Sequence, residues 1–231
     1  MRASWSLIAI AAVGIVAGGS AGYWFLAKNG ASAGSALIVA PATPASQPQV
    51  AQSGAAPEIT ADDMVLGSPD AKVTIVEYAS LTCSHCQRFH LDTLPKIKSE
   101  FVDTGKVKLV FRDFPFDEAG LRAAMMARCG GKEKFYGYIG VLYQSLDQWS
   151  REKDWKAALA RIGKLGGMSQ ETFDKCLADK TLETAILNKR LEGTKLGVDS
   201  TPTFFINGEK LSGAYPFDQY ADIIKRKLPA Q

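Results

Sequence analysis

Residues 73–86 read VTIVEYASLTCSHC. The first half, Val73 to Tyr78, is rich in β-branched residues and is bounded by turn residues, the pattern of a buried strand. The second half ends in a Cys-x-x-Cys pair, Cys83 and Cys86, with Ser84 and His85 between them. Cysteines so spaced serve metal ligation, a structural staple, or thiol–disulfide exchange with other proteins. Zinc is disfavoured. The only other histidine is His90, and all four would-be ligands fall between Cys83 and His90, whereas zinc sites draw their second ligand pair from a separate loop. No metal and no cofactor is expected. The two remaining cysteines, Cys129 and Cys176, each close a predicted helix; in an oxidising compartment such a pair reads as a structural disulfide. The alternative is two buried free thiols acting as small apolar residues.

Outward from this stretch, a turn at Leu66-Gly67-Ser68-Pro69-Asp70 precedes the strand. A helix runs from about Cys86 through Phe89, Leu94 and Ile97, bent at Pro95. Gly105 breaks the chain and Val107 to Phe111 forms a second strand, so strand, helix and strand make a parallel crossover unit. Between Phe116 and Val198 the pattern becomes helical: Glu118 to Arg128, Lys132 to Leu146, Arg151 to Leu165, Ser169 to Leu177 and Leu182 to Leu196, with Gly130-Gly131, Ser150, Gly166-Gly167 and Gly197 marking the ends. Tyr136, Tyr138, Tyr143, Trp149 and Trp155 form the expected core of this insertion. Thr203 to Ile206, an Asn207-Gly208 turn and Lys210 to Gly213 then make a β-hairpin, and a helix from Pro216 to Leu228 closes the chain. The expectation is an α/β fold of order βαβ, helical block over about 116–197, ββα.

The start of the chain differs in composition. No charge occurs from Ala3 to Ala27, and Leu7 to Leu26 is apolar apart from Ser20 and its glycines, long enough as a helix to reach ~30 Å, a bilayer's hydrocarbon thickness. Tyr23 and Trp24 occupy an interfacial position. Residues 1–28 are therefore read as a transmembrane anchor, favoured over a cleaved signal peptide, although Ala31-Ser32-Ala33 offers a cleavage site. Residues 29–57, rich in Ala, Ser, Gln and Pro, read as a disordered linker, and 58–231 as the folded domain. Either reading of the N-terminus places that domain outside the cytosol, where disulfides persist. With 27 basic and 24 acidic residues in the whole chain, the near-balanced charge supplies no electrostatic argument for a nucleic-acid partner.

CSHC after a strand, RDFPF at Arg112 to Phe116, the helical block and STPTFFINGEKLSGAYP from Ser200 to Pro216 together resemble the DsbA-type thioredoxin-fold disulfide oxidoreductases of the bacterial periplasm. The resemblance covers roughly Glu58 to Leu228. It implies a thioredoxin fold with an inserted helical subdomain, a cis Pro202 facing the cysteine pair, and backbone groups of Thr201 that pair with an extended substrate. It also implies that Glu77 lies beneath the cysteines and moves protons for a buried Cys86. Arg112, ending the neighbouring strand, is a candidate partner for that acid, since a buried carboxyl needs one.

Thiol–disulfide exchange needs a thiolate, so Cys83 must ionise below its ordinary value of about 8.5. A helix N-terminus supplies free N–H donors and the positive end of the dipole, and His85 adds a donor. Cys83 then attacks or is attacked, and Cys86 resolves. A lowered pKa makes such a disulfide more oxidising; Ser84, where the family usually has proline, changes the tuning dipeptide. The expected function is oxidation of reduced secreted proteins at the periplasmic face, with a DsbB- or VKOR-like membrane partner restoring the bond. The rivals are a disulfide isomerase or reductase using the same pair, and a non-redox peptide-binding chaperone.

Overall fold

The computed structural model describes residues 56–229 and the backbone of Val50–Ala51. The candidate membrane span, residues 7–26, and most of the linker lie outside the described residues. Among the described residues no helix is long and apolar enough to cross a membrane.

The strands are β1 (Val50–Ala51), β2 (Met64–Leu66), β3 (Val73–Ala79), β4 (Val107–Asp113), β5 (Thr203–Ile206) and β6 (Glu209–Ser212), joined in one sheet of order β1-β6-β5-β3-β4-β2. β3 and β4 are parallel, with Val73 opposite Val107 and Glu77 opposite Phe111, while β5 pairs antiparallel to β3 and β6 to β5. Asn207 and Gly208 both take positive φ, as the tight hairpin between β5 and β6 requires. The Asn207 side chain accepts from the Thr74 N–H at 2.8 Å and donates to the Lys72 carbonyl at 3.1 Å, pinning the hairpin to the start of β3.

Two short strands depart from the sequence reading. β2 pairs antiparallel to β4; it is too short to show an alternation, and only the open edge of β4 reveals it. Val50 and Ala51, inside the segment read as disordered linker, pair with Leu211 and Lys210 of β6. That edge otherwise presents unpaired backbone groups, which a passing extended segment satisfies.

The helical run after Cys83 is α1 (Ser84–Arg88), a π turn (Phe89–Thr93), α2 (Leu94–Ile97) and a second π turn (Lys98–Val102). The bend expected at Pro95 is thus taken up by widened turns on either side, because proline at the start of α2 has no N–H to give the preceding turn. The insertion comprises α3 (Glu118–Cys129), α4 (Lys132–Gln144), α5 (Leu146–Trp149), α6 (Trp155–Leu165), α7 (Gln170–Ala178) and α8 (Lys180–Lys195), and α9 (Phe217–Lys227) follows the hairpin. Capping side chains set several of these boundaries: Asp154 starts α6 later than Arg151, and Asp179 starts α8 earlier than Leu182, each accepting from backbone N–H groups of the first turn.

Alternation along β3 divides the sheet into two faces. Val73 and Ile75 pack with Phe89, Ile97, Tyr220 and Ile224, whereas Val76 and Tyr78 pack with Val110, Phe114, Val198 and Phe205. Each such fully buried side chain contributes roughly 1.5–3 kcal/mol. α8 can approach the second face because Gly193 carries no side chain; an added Cβ would lie 2.7 Å from Tyr78 Cε1. The aromatic residues of the insertion do not form a separate core. Tyr138, Tyr143 and Trp149 share one buried cluster with Ala79, Leu81, Cys86 and Phe111, so the insertion is packed directly onto the strand ends that carry the cysteines.

Candidate active site

The chain leaves β3 at Ala79 and reaches α1 through Ser80 to Cys83. Cys83 is the N-cap, in extended conformation, and its carbonyl accepts the first helical bond from Gln87 N–H at 3.0 Å. No side chain caps α1. The turn is held from three sides. Thr82 Oγ1 donates to Asp117 Oδ2 at 2.7 Å, Tyr143 Oη donates to the Ser80 carbonyl at 3.1 Å, and Gln87 Nε2 donates to the Tyr143 carbonyl at 2.7 Å.

The two thiols are free but differ sharply in environment. Cys83 is half-buried and Cys86 wholly buried. The Cys86 thiol, as a hydrogen-bond donor, is the largest influence on Cys83; with the Thr201 hydroxyl and the backbone N–H groups of Cys86 and His85 it outweighs partial desolvation and pulls Cys83 down to about 5. Thiolate therefore exceeds thiol roughly a hundredfold at pH 7. Burial, the bond to Cys83 and the negative charge of Glu77 push the Cys86 thiol well above its ordinary value.

The Thr201–Pro202 peptide bond is cis, and the Thr201 carbonyl lies 3.4 Å from Cys83 Sγ. Thr201 Oγ1 is buried and makes no hydrogen bond within ordinary distance and angle among the described residues; its influence on Cys83 is that of a nearby hydroxyl able to turn toward the thiolate. His85 is exposed, and its Nδ1 accepts from Arg88 Nη2 at 3.0 Å; it is the backbone N–H of His85, not the ring, that acts on Cys83.

Glu77 is fully buried and continues the Val73 and Ile75 face of β3 beneath α1. Its partner is not Arg112. Alternation puts Arg112 on the opposite face with Tyr78, where the guanidinium donates to Asp63 at 2.9 and 2.7 Å, to Tyr78 Oη at 2.9 Å and to the Glu58 carbonyl. The residue that meets Glu77 is His90, whose Nε2 lies 2.9 and 3.2 Å from the two carboxylate oxygens. Sequence reasoning considered His90 only as a metal ligand. The signal was its position four residues after Cys86, hence on the same helical face, over a strand whose alternate residues point up. Cys129 and Cys176, remote in sequence from the pair, are joined in a disulfide between α3 and α7.

These features define a dithiol protein: a four-stranded βαβ and ββα core with an all-helical insertion, and a cysteine pair at a helix N-terminus facing a cis proline. A family model described as thioredoxin matches residues 60–226. A Rickettsia typhi protein whose name places it among protein-disulfide oxidoreductases is 36% identical over 173 residues, covering 74% of this chain and 64% of its own length. Disulfide bond formation protein D of Bacillus subtilis is 27% identical over 175 residues, covering 71% and 76%. The crystal structure of Wolbachia pipientis alpha-DsbA1 superposes with a TM-score of 0.69 at 35% identity, covering 73% of this chain and 92% of that one. The chain belongs to the DsbA-type branch of the thioredoxin family.

Proposed function

We propose that this protein is an extracytoplasmic thiol:disulfide oxidase that transfers its Cys83–Cys86 bond to reduced secreted proteins. The single observation carrying this reading is the asymmetry of the two thiols, Cys83 pulled down to about 5 and Cys86 pushed up. A substrate thiolate attacks the Cys83 sulfur; the Cys83–Cys86 bond breaks, and Cys86 leaves as a thiolate and takes up a proton. A second substrate thiolate then attacks the substrate sulfur of the mixed disulfide, and Cys83 leaves as a stabilised thiolate. The substrate loses two electrons and the protein gains them. Stabilising the leaving thiolate is what makes a dithiol pair oxidising.

The other site residues take roles consistent with this chemistry. Thr201 offers its backbone to an extended substrate beside Cys83, Pro202 borders that surface, His85 stands at its exposed entrance and supplies an N–H to Cys83, and Glu77 exchanges the proton of Cys86. A DsbB- or VKOR-like membrane partner restores the bond. Two observations support a location outside the cytosol, at the periplasmic face of the membrane: the apolar run Leu7 to Leu26 and a structural disulfide of the kind that persists in oxidising compartments.

Mixing the oxidised protein with a reduced, unfolded two-cysteine protein tests the reading. The expected result is stoichiometric transfer faster than that given by glutathione disulfide at equal concentration. An equilibrium with glutathione as reducing as about −270 mV, typical of reducing dithiols, would instead make it a reductase. Cys86→Ala expressed in the native host is expected to trap secreted proteins as mixed disulfides on Cys83; an empty trap at normal protein level contradicts the oxidase reading.

A further inference from the structure

Each redox half-cycle adds a proton to Cys86 or removes one, yet Cys86 and Glu77 are both 0% exposed. The proton needs a route to water. The packed elements around Glu77 present Cys86 from α1, His90 from the π turn, Tyr136 and Tyr143 from α4 and Tyr220 from α9. Each phenol already has a backbone carbonyl as acceptor: Tyr136 Oη donates at 2.8 Å to Met64 or 3.0 Å to Leu109, Tyr143 Oη to Ser80 at 3.1 Å, and Tyr220 Oη to Gly213 at 3.3 Å. Among the described residues, no lysine or arginine forms an ion pair with Glu77; Arg112 is committed to Asp63 and Tyr78 on the opposite face. His90 is the remaining titratable group. It is the one member of the trio with contact to solvent, its side chain 4% exposed, and its ring is held between Tyr143, with centroids 4.4 Å apart, and Phe111 at 5.8 Å. Cys86 and His90 are four residues apart on one helical run, side by side above β3.

We propose that His90 is the positioning and relay residue through which Glu77 exchanges the proton of Cys86 with water. When Cys86 leaves as a thiolate, it takes a proton from the Glu77–His90 pair and the pair is refilled from solvent at the imidazole. On reoxidation, the Cys86 sulfur bonds to Cys83, the partner's sulfur departs as a thiolate, and the proton of Cys86 returns through Glu77 to His90 and out. His90 touches neither reacting sulfur. It acts by fixing the carboxylate under Cys86 and by carrying a proton that glutamate, sealed in the core, cannot release alone. This inference rests on the thiol–disulfide exchange of the preceding section.

The test is His90→Gln, which keeps a donor for Glu77 but carries no exchangeable charge, compared with Glu77→Gln and the double variant. The rate read is closure of the Cys83–glutathione mixed disulfide by Cys86, followed by acid quench across pH 5–8, where histidine titrates. The expected result is closure slowed about tenfold or more at pH 7, with the inflection of the native profile lost. Alkylation of Cys83, which needs no proton from Cys86, is expected to stay within about twofold, and the double variant to be no slower than Glu77→Gln alone. Closure within about twofold of native with an unchanged profile overturns the relay, and so does an equal slowing of closure and alkylation, which marks a structural role. The native protein provides a second arm that needs no variant. The His90 ring-nitrogen resonances, followed by NMR at pH 7, are expected to differ between the dithiol and disulfide forms, and no difference overturns the proposal. If native protein fails to react with glutathione disulfide at all, the exchange chemistry itself has failed; if it reacts and His90→Gln matches it, the relay alone has.

Discussion

The chain holds two cysteine pairs with matching exposure and opposite electrostatics. Cys83 and Cys129 are both half-buried, and Cys86 and Cys176 are both buried. Exposure therefore does not separate the pair proposed to exchange from the one that is bonded. The helices do. Cys83 stands at the start of α1, where the Cys86 thiol donates to it and the free backbone N–H groups of the first turn add to the preference for a thiolate. Cys129 is the last residue of α3 and Cys176 lies in the final turn of α7, where carbonyl groups and the negative end oppose one. A pair whose thiolates gain nothing from the fold is a poor leaving group and resists reduction, while a pair with one strongly favoured thiolate gives up its bond readily. Position along a helix thus separates the pair proposed to exchange from the pair that is bonded.

Removing the sulfurs tests that division first, and with the largest effect. Cys83→Ala is expected to lower substrate oxidation by at least about 10³-fold, whereas Cys129→Ala/Cys176→Ala is expected to leave the alkylation rate of Cys83 within about threefold. The double variant should instead lose about 2–4 kcal/mol in urea unfolding. Comparable loss of exchange in both would erase the distinction.

The two faces of the sheet offer a sharper contrast. Asp63→Ala leaves the buried Arg112 guanidinium without its charge partner on the face away from the cysteines, and is expected to cost about 3–5 kcal/mol of stability. The midpoint of Cys83 ionisation should not move. A shift there would mean that the two faces are coupled.

The third prediction concerns pH. The folded value of Cys83 is depressed to about 5, well below the ordinary cysteine value, so it stabilises the dithiol form fully above the unfolded value and loses that contribution as pH falls through 5. Cys86, raised instead, is a thiol in both folded and unfolded chains at pH 7 and contributes nothing there. The stability of the dithiol form relative to the disulfide form should therefore drop on the order of 2 kcal/mol between pH 7 and pH 4, after allowance for the sulfur's partial exposure. Parallel denaturant titrations of the two forms measure it, and a flat difference would contradict the assignment.

The smallest effect is expected at Thr201→Val, which removes the unpartnered hydroxyl beside Cys83. One lost hydrogen bond to a thiolate should raise the Cys83 midpoint by about one pH unit, seen in the pH dependence of alkylation.

Much of this arrangement was legible in the sequence because local chemistry dictates it. Val73 to Tyr78 had no plausible use but a buried strand, and Asn207-Gly208 takes the two positive φ values that few other pairs adopt. The cysteines declared a helix start because the strand ends just before them. What stayed hidden depends on pairing across the sheet. Whether Glu77 faces Arg112 or His90 follows from the register that sets Glu77 opposite Phe111 and Tyr78 opposite Arg112, a property of two strands that neither specifies alone. The three residues of β2 and the two of β1 are too few to show a period, and they become strands only because β4 and β6 leave edges open. The shared core of insertion and sheet was equally invisible, since aromatic residues announce burial without naming their neighbours.

The most direct measurement is an ultraviolet thiolate titration, from pH 3 to pH 10, of the native protein with the Cys83–Cys86 pair reduced and the Cys129–Cys176 disulfide intact. One sulfur is expected to ionise with a midpoint near 5 and the other to stay silent to the upper end of the range. Two sulfurs ionising together near the ordinary cysteine value would contradict the account.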